Sequence, residues 1–321
     1  MKNLQRALAM ASFLFCGAAS AQSLEVINIG SGDIDGGYYH TAKTICGLIN
    51  RQRERKLHCS PDPTVGSIYN LQLLEDGELD FALVQSDWHQ AAYHGSGRFN
   101  GKAFSDLRSV MSIYPEVITI LVGRDSEIYA VKDIVGKRID IGPPSSGRHG
   151  TASLVFENLG MDLTSALEVL ELRTDNSITA LCDGSIDASV FVVGHPSNLI
   201  ATALSECGAR ILRLSGPKLA KVFAETSEIS SAAISANHYP ELQADVESYA
   251  VFATLVTRAD VSENLVKSIV DSTAQNLKTL AIRVPQMSGS TLKSLQTQGL
   301  TAPLHPAAAR AFLELYGEQT D

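Results

Sequence analysis

Two glycine-rich loops carry the residues best suited to hold a charged small molecule. The second of them, GPPSSGRHG at residues 142–150, sets Ser145, Ser146, Gly147 and Arg148 at the start of a helical pattern. A guanidinium there can grip a carboxylate through two parallel N–H donors, and a direct contact of that kind contributes roughly 1.5–3 kcal/mol. The free amides and positive dipole end of the helix attract the same anion. The first loop, within VINIGSGDIDGGYY at residues 26–39, repeats the strand, glycine turn and helix start, and offers Gly36, Gly37, Tyr38 and Tyr39 as walls. Asp33 and Asp35 in the same loop could hold an amine, although loop aspartates more often shape turns. Ser67 precedes another helical pattern, and Gln85-Ser86 ends an apolar strand, where ligands of open α/β sheets usually sit.

Catalytic chemistry is less well served. Ser146 with His149 or His195 would make an exported serine hydrolase, the alternative reading, but no acid or oxyanion device is placed beside them. No G-x-S-x-G or P-loop sequence is present. GSGDIDG spaces its glycines one residue too widely for a dinucleotide fingerprint, and His89 and His94 lack a third partner for zinc. The residues therefore predict a binding protein without catalytic activity, cofactor or metal.

These residues need a large scaffold, and 321 residues with 45% apolar content are enough for two domains with cores of their own. The net charge of −9 argues against general binding to nucleic acid or anionic membranes. At the N-terminus, Lys2 and Arg6 precede an apolar run from Ala7 to Ala19 and an Ala19-Ser20-Ala21 cleavage site. That pattern predicts a cleavable signal peptide over residues 1–21 and a periplasmic, released protein. Lipidation at Cys16 is disfavoured because bulky Phe15 precedes it. Export makes the remaining four cysteines candidates for two disulfides, with three possible pairings. Proximity in sequence favours Cys46–Cys59 and Cys182–Cys207.

Along the chain, periodicity predicts helices over Thr41–Arg53, after Ser67, around Trp88–Tyr93 and over Val261–Ile282, and an alanine-rich helix after Pro306. Short strands are expected at Leu79–Val84, Val110–Ile113, Val117–Val122, Arg138–Ile141 and Val251–Val256, with Tyr114-Pro115 separating the second from the third. The chain also echoes itself. VINIGSG (26–32) and RIDIGPP (138–144) are matching glycine turns, and LEDGELDFALVQS (74–86) is matched by LCDGSIDASVFVV (181–193). Two similar α/β lobes follow from that echo.

The order GSG…GGYY, TVGSIYN, LEDGELDFALVQSDW, IGPPSSG, LCDGSIDASVFVVGHP and FATLVT resembles the TAXI class of solute receptors, which serve tripartite ATP-independent periplasmic (TRAP) transporters. The likeness runs from about residue 26 to Pro306, and QSDW and GHP are its more specific parts. It implies an α/β type II periplasmic-binding-protein fold, two lobes joined by crossing strands at Val117–Val122 and Val251–Val256 and closing over a cleft. Lobe 1 would comprise residues 22–118 and 253–321, and lobe 2 residues 119–252. The resemblance further implies ligand contacts from Tyr38, Tyr39, Ser67, Gln85, Ser86, Ser146, Gly147 and His195. Partners would be a small carboxylate, such as glutamate or an organic acid, and a TRAP permease, with the receptor a monomer; a sensor-associated receptor is a further alternative. Val65 replaces a family glycine, and Arg148-His149 stand where a small polar residue is usual, so the ligand itself stays open.

Overall fold

The computed structural model describes residues 24–52, 56–164, 168–224, 226 and 228–318. The expected leader at 1–21 and Cys16 lie outside them. The first half opens β1 (Glu25–Gly30), α1 (Gly37–Ile49), β2 (Leu57–Asp62), α2 (Ser67–Glu75), β3 (Phe81–Gln85) and α3 (Ser86–His94). A 16-residue strand, β4 (Leu107–Val122), leads into the second half. There follow β5 (Arg138–Asp140), α4 (Gly147–Leu159), β6 (Glu168–Leu170), α5 (Thr174–Cys182), β7 (Ala188–Val193), α6 (Asn198–Ser205), β8 (Arg210–Leu212), α7 (Pro217–Ala224) and β9 (Ser230–Ile234). The chain returns through β10 (Val246–Arg258) and finishes on α8 (Glu263–Ala274), α9 (Leu277–Arg283), α10 (Leu292–Thr297) and α11 (Pro306–Glu318). Among the described residues, no helix is long and apolar enough to cross a membrane.

The strands make one sheet in the order β2-β1-β3-β10-β4-β7-β5-β6, with β8 added to β4 and β9 to β10. Among the described residues, only β4 and β10 run through both halves, antiparallel to each other. Their apolar side chains serve different cores along their length. Val110, Met111 and Ile113 of β4, with Ala253 and Leu255 of β10, pack under α1, α8 and α11. Ile118, Ile120 and Val122, with Tyr249 and Val251, pack under α4 and α7 instead. Between the two cores lie Pro115 and Glu116, just past Tyr114 of the first core, so the sheet is continuous while the packing changes partners. The result is a two-lobe α/β fold.

The internal echo is structural. Ile29 pairs in parallel with Phe81, and Ile139 pairs in parallel with Ala188. In each half the second Asp of the Asp-Gly element accepts from the backbone of the glycine-turn strand: Asn28 N–H donates to Asp80 at 2.9 Å, and Arg138 N–H donates to Asp187 at 2.8 Å.

Two expectations need correction. Tyr114-Pro115 does not break the chain into two strands, because β4 is continuous across it. Pairing with β7 starts only at Val117, so Pro115 is paired on one side alone, opposite Phe252, and a register shift that skips Ile113 lies two residues before it, between Ala253 and Thr254. A proline lacking its N–H is tolerated at such an irregular, one-sided place. Nor is Val261–Ile282 one helix. Asn276 leaves helical dihedrals (φ −118°, ψ 24°) and its side chain donates back to Ser272 O at 2.9 Å, which separates α8 from α9. Leu265 and Ile269 are buried as expected, and Leu277 packs against the same core from its edge.

Both disulfides form with the expected pairing, Cys46–Cys59 and Cys182–Cys207, at Cα separations of 4.8 and 5.0 Å. Each closes a short loop, so replacing either pair by alanines is expected to lower unfolding free energy by about 3 kcal/mol, read as a shifted urea midpoint.

Candidate functional site

Where the two cores separate, a cavity of about 380 Å³ opens between the halves. Each half contributes helix N-termini to it. Gly36-Gly37 begin α1, Gly66-Ser67 begin α2, and Ser146-Gly147 begin α4, and all six residues line the cavity. Gly66 is needed at its position because its φ of +111° suits glycine alone. The crossing strand supplies Tyr114 and Glu116, and the second half adds Phe191, Gly194 and Pro196, the last after a cis His195–Pro196 bond.

The halves touch directly around this cavity. Asp33 takes Arg173 Nη2 at 2.7 Å and Thr174 Oγ1 at 2.6 Å. Trp88 Nε1 donates to Gly147 O at 3.1 Å, Thr151 Oγ1 donates to Asp87 at 2.6 Å, and Tyr69 N–H donates to Ser145 O at 3.2 Å. Asp33 is thereby engaged across the cleft, which removes it as the amine contact the sequence suggested; Asp35 is exposed on the cavity rim.

Of the residues expected at the site, Gly36, Gly37, Tyr38, Ser67, Gln85, Ser146, Gly147 and Arg148 line the cavity. The lining does not include Tyr39, Ser86, Ser145 or His195. Tyr39 lies on the outer side of α1, edge-on to His40 and 5.9 Å beneath the Lys43 ammonium. The Ser86 hydroxyl accepts from Phe252 N–H and donates to Glu228 O, binding the start of α3 to β10 and to the second half. The Ser145 carbonyl is used by Tyr69. The His195 ring turns into its own half, with Nδ1 2.6 Å from Tyr239 Oη and Nε2 3.0 Å from Thr119 Oγ1. Burial lowers its pKa to about 4, so the ring stays neutral.

Arg148 reaches the cavity wall, but its fork is already occupied. Nη2 pairs with the fully buried Asp140 and also donates to Ser189 Oγ at 2.9 Å. Nη1 donates to Ser177 Oγ at 3.2 Å, Nε donates to Val190 O, and the guanidinium stacks 4.3 Å over Phe191. The expectation of a guanidinium free to grip a ligand carboxylate is corrected accordingly: the cation faces an internal carboxylate. The aspartate eight residues earlier, in the preceding strand, was the available signal.

The residue that sequence reading missed is Glu116. It is 4% exposed, and its Oε2 accepts from Tyr38 Oη at 2.7 Å. A lone acid inside a long apolar β-branched stretch was the sign of it. Burial, with a smaller push from Asp87 and against the pull of the Tyr38 hydrogen bond, raises its pKa to about 8. Asp87 is likewise raised to about 6 by burial, which its bond to Thr151 opposes. Between about pH 4.5 and 8 the folded protein holds the Glu116 proton that the unfolded chain has released, so stability falls as pH rises across that window. Glu116→Gln should remove much of this slope, at most about 1.4 kcal/mol per pH unit, in urea unfolding followed from pH 5 to 8.

Hydrolase geometry is not assembled here. Ser146 Oγ caps α4, accepting from His149 N–H at 3.1 Å and donating to Pro143 O at 2.7 Å, and the His149 ring sits 3.2 Å from Glu171. His89 is buried between Ser109 and Thr254, and no cluster of three metal-ligating residues exists among the described residues.

The model of the NMT1-like family matches residues 29–315. Among solved structures, a protein from Bordetella bronchiseptica RB50 is similar at TM-score 0.56 and 13% identity, over 91% of this chain and 98% of that one. The alkanesulfonate-binding protein SsuA from Xanthomonas axonopodis pv. citri, bound to MOPS, is similar at 0.50 and 17%, over 91% and 85%. A putative L-cystine ABC transporter protein from Listeria monocytogenes is similar at 0.50 and 12%, over 82% and 94%. At these identities the likeness is one of fold, the two-lobe α/β architecture described above.

Proposed function

The chain belongs to the NMT1-like family, and from that premise we propose that it is an extracytoplasmic receptor that captures a small carboxylate and delivers it to a membrane permease. The observation that carries this reading is the cavity itself, enclosed by three helix N-termini from two halves that hydrogen-bond across it. Such amides and dipole ends favour an anion without needing a charged side chain. With Arg148 committed to Asp140, they are the natural seat for a ligand carboxylate. The ligand class is an acidic amino acid such as glutamate or a small organic acid.

Binding would proceed by closure of lobe 2 (119–252) onto lobe 1 (22–118 with 253–321), bending at the crossing strands. A ligand can drive closure only by contacting the closed form better than the open one. The contacts of Asp33, Asp87 and Trp88 across the cleft belong to the closed form. Export through residues 1–21 places the monomeric protein in the periplasm. The motif order favours a TRAP permease as partner, while two of the similar structures bear the names of an alkanesulfonate-binding protein and of an ABC transporter protein.

A thermal-shift panel of amino acids and organic acids tests the reading, since a ligand that binds only the folded state raises the melting temperature. At least one compound is expected to do so. If none does, while a simple ester or amide is hydrolysed and Ser146→Ala abolishes the turnover, the hydrolase alternative replaces it.

A further inference from the structure

Glu116 occupies the turning point of the cavity, where β4 leaves one core for the other. The only hydrogen bond of its carboxyl group among the described residues is the one from Tyr38 to Oε2. Oε1 has no partner among the described residues, yet it is not among their buried orphan atoms, so it is reached from the cavity. A carboxylate this buried, with a single neutral donor, is costly to ionise unless a cation meets it. Among the described residues, no cation pairs with it. Arg148 is held by Asp140, and Arg283 stands exposed at the cavity rim. The groups around Glu116 are otherwise neutral or acidic: Tyr38 from α1, Tyr114 from its own strand, Asp87 from α3, and Asp33, Asp35 and His40 along the wall.

We propose that Glu116 binds a protonated amine of the ligand, so that the captured solute is an amino acid rather than an amine-free organic acid. The inference rests on the solute-binding reading above and narrows its ligand. The ligand carboxylate lies at the helix N-termini and the ammonium at Glu116 Oε1, with the rings of Tyr38 and Tyr114 beside it as apolar and π-faced walls. Before solute binds, Glu116 is protonated at neutral pH, because burial raises its pKa to about 8. Ammonium binding therefore expels that proton. Affinity rises with pH toward about 8 and falls by up to tenfold per unit below it.

The test is a set of matched pairs measured by titration calorimetry: L-glutamate with glutarate, L-aspartate with succinate, L-leucine with 4-methylpentanoate. Each is run at pH 6, 7 and 8 in buffers of different ionisation enthalpy, on the wild-type protein and on Glu116→Gln. In the pair that binds, the amino acid is expected to bind at least 100-fold more tightly than its des-amino partner, with proton release at pH 7, and Glu116→Gln should erase both the preference and the release. Equal or tighter binding of the des-amino member overturns the inference while leaving the receptor reading intact. So does a preference that survives Glu116→Gln. If no amino acid or organic acid binds, the receptor reading fails and takes this inference with it. The pair comparison and the buffer dependence need no variant, so they decide the matter even if Glu116→Gln does not fold.

Discussion

A Gly150→Ala protein is expected to fold normally and to bind its solute at least tenfold more weakly, a loss of about 1.4 kcal/mol or more. Gly150 lies in the first turn of α4, and a β-carbon there would overlap the indole ring of Trp88, which belongs to the other half. The ring cannot easily step aside, because Nε1 is held by Gly147 O at 3.1 Å. The methyl therefore acts where the halves meet, on a ring at the edge of the first half's cluster of Leu71 and Phe104. Within the helix itself, alanine is favoured over glycine by about 1 kcal/mol, so stability should not fall. Trp88 is the single tryptophan of the chain and reports on the event directly. Solute should change the emission of the wild-type protein and should change that of Gly150→Ala much less. Wild-type affinity in Gly150→Ala would mean that the contact between α3 and α4 is not part of the bound state.

Asp140→Ala is expected to cost about 3–5 kcal/mol of stability, the largest loss from a single side chain in the second half. Asp140 is fully buried and takes donors from every side: Arg148 Nη2, Ser189 Oγ at 2.8 Å, Leu172 N–H at 2.9 Å and Gly142 N–H at 3.1 Å. Truncation leaves the Arg148 cation buried without its counter-charge and loosens two backbone segments at once. Burial already pulls the Arg148 pKa down, and Asp140 is the main force restoring it. Urea unfolding monitored by circular dichroism measures the loss. Arg148→Ala should likewise show itself first as instability. If Asp140→Ala is as stable as wild type while Arg148→Ala alone abolishes binding, the guanidinium contacts ligand after all.

The amino-acid sequence by itself determined the α/β lobes, their echo and the cysteine pairing. Local signals carry each of these: glycine turns at fixed places, apolar runs of strand length, and cysteines close enough in sequence to meet in short loops. It also placed Gly36, Gly37, Ser67, Ser146 and Gly147 on the cavity, because a helix that follows a strand edge must present its N-terminus there. What tertiary structure alone decided is where long polar side chains point. Arg148 and His195 stand at suitable places in the sequence, yet Asp140 in one case and Tyr239 with Thr119 in the other draw them inward. Asp33 spends its charge on Arg173, 140 positions away. Glu116 was hidden for the converse reason. Its role comes from the change of core partner along β4, which no local pattern encodes, and from the distant Tyr38 that meets it only after the sheet has formed. Charge-bearing side chains are settled by the nearest compensating group in space, and that group is seldom near in sequence.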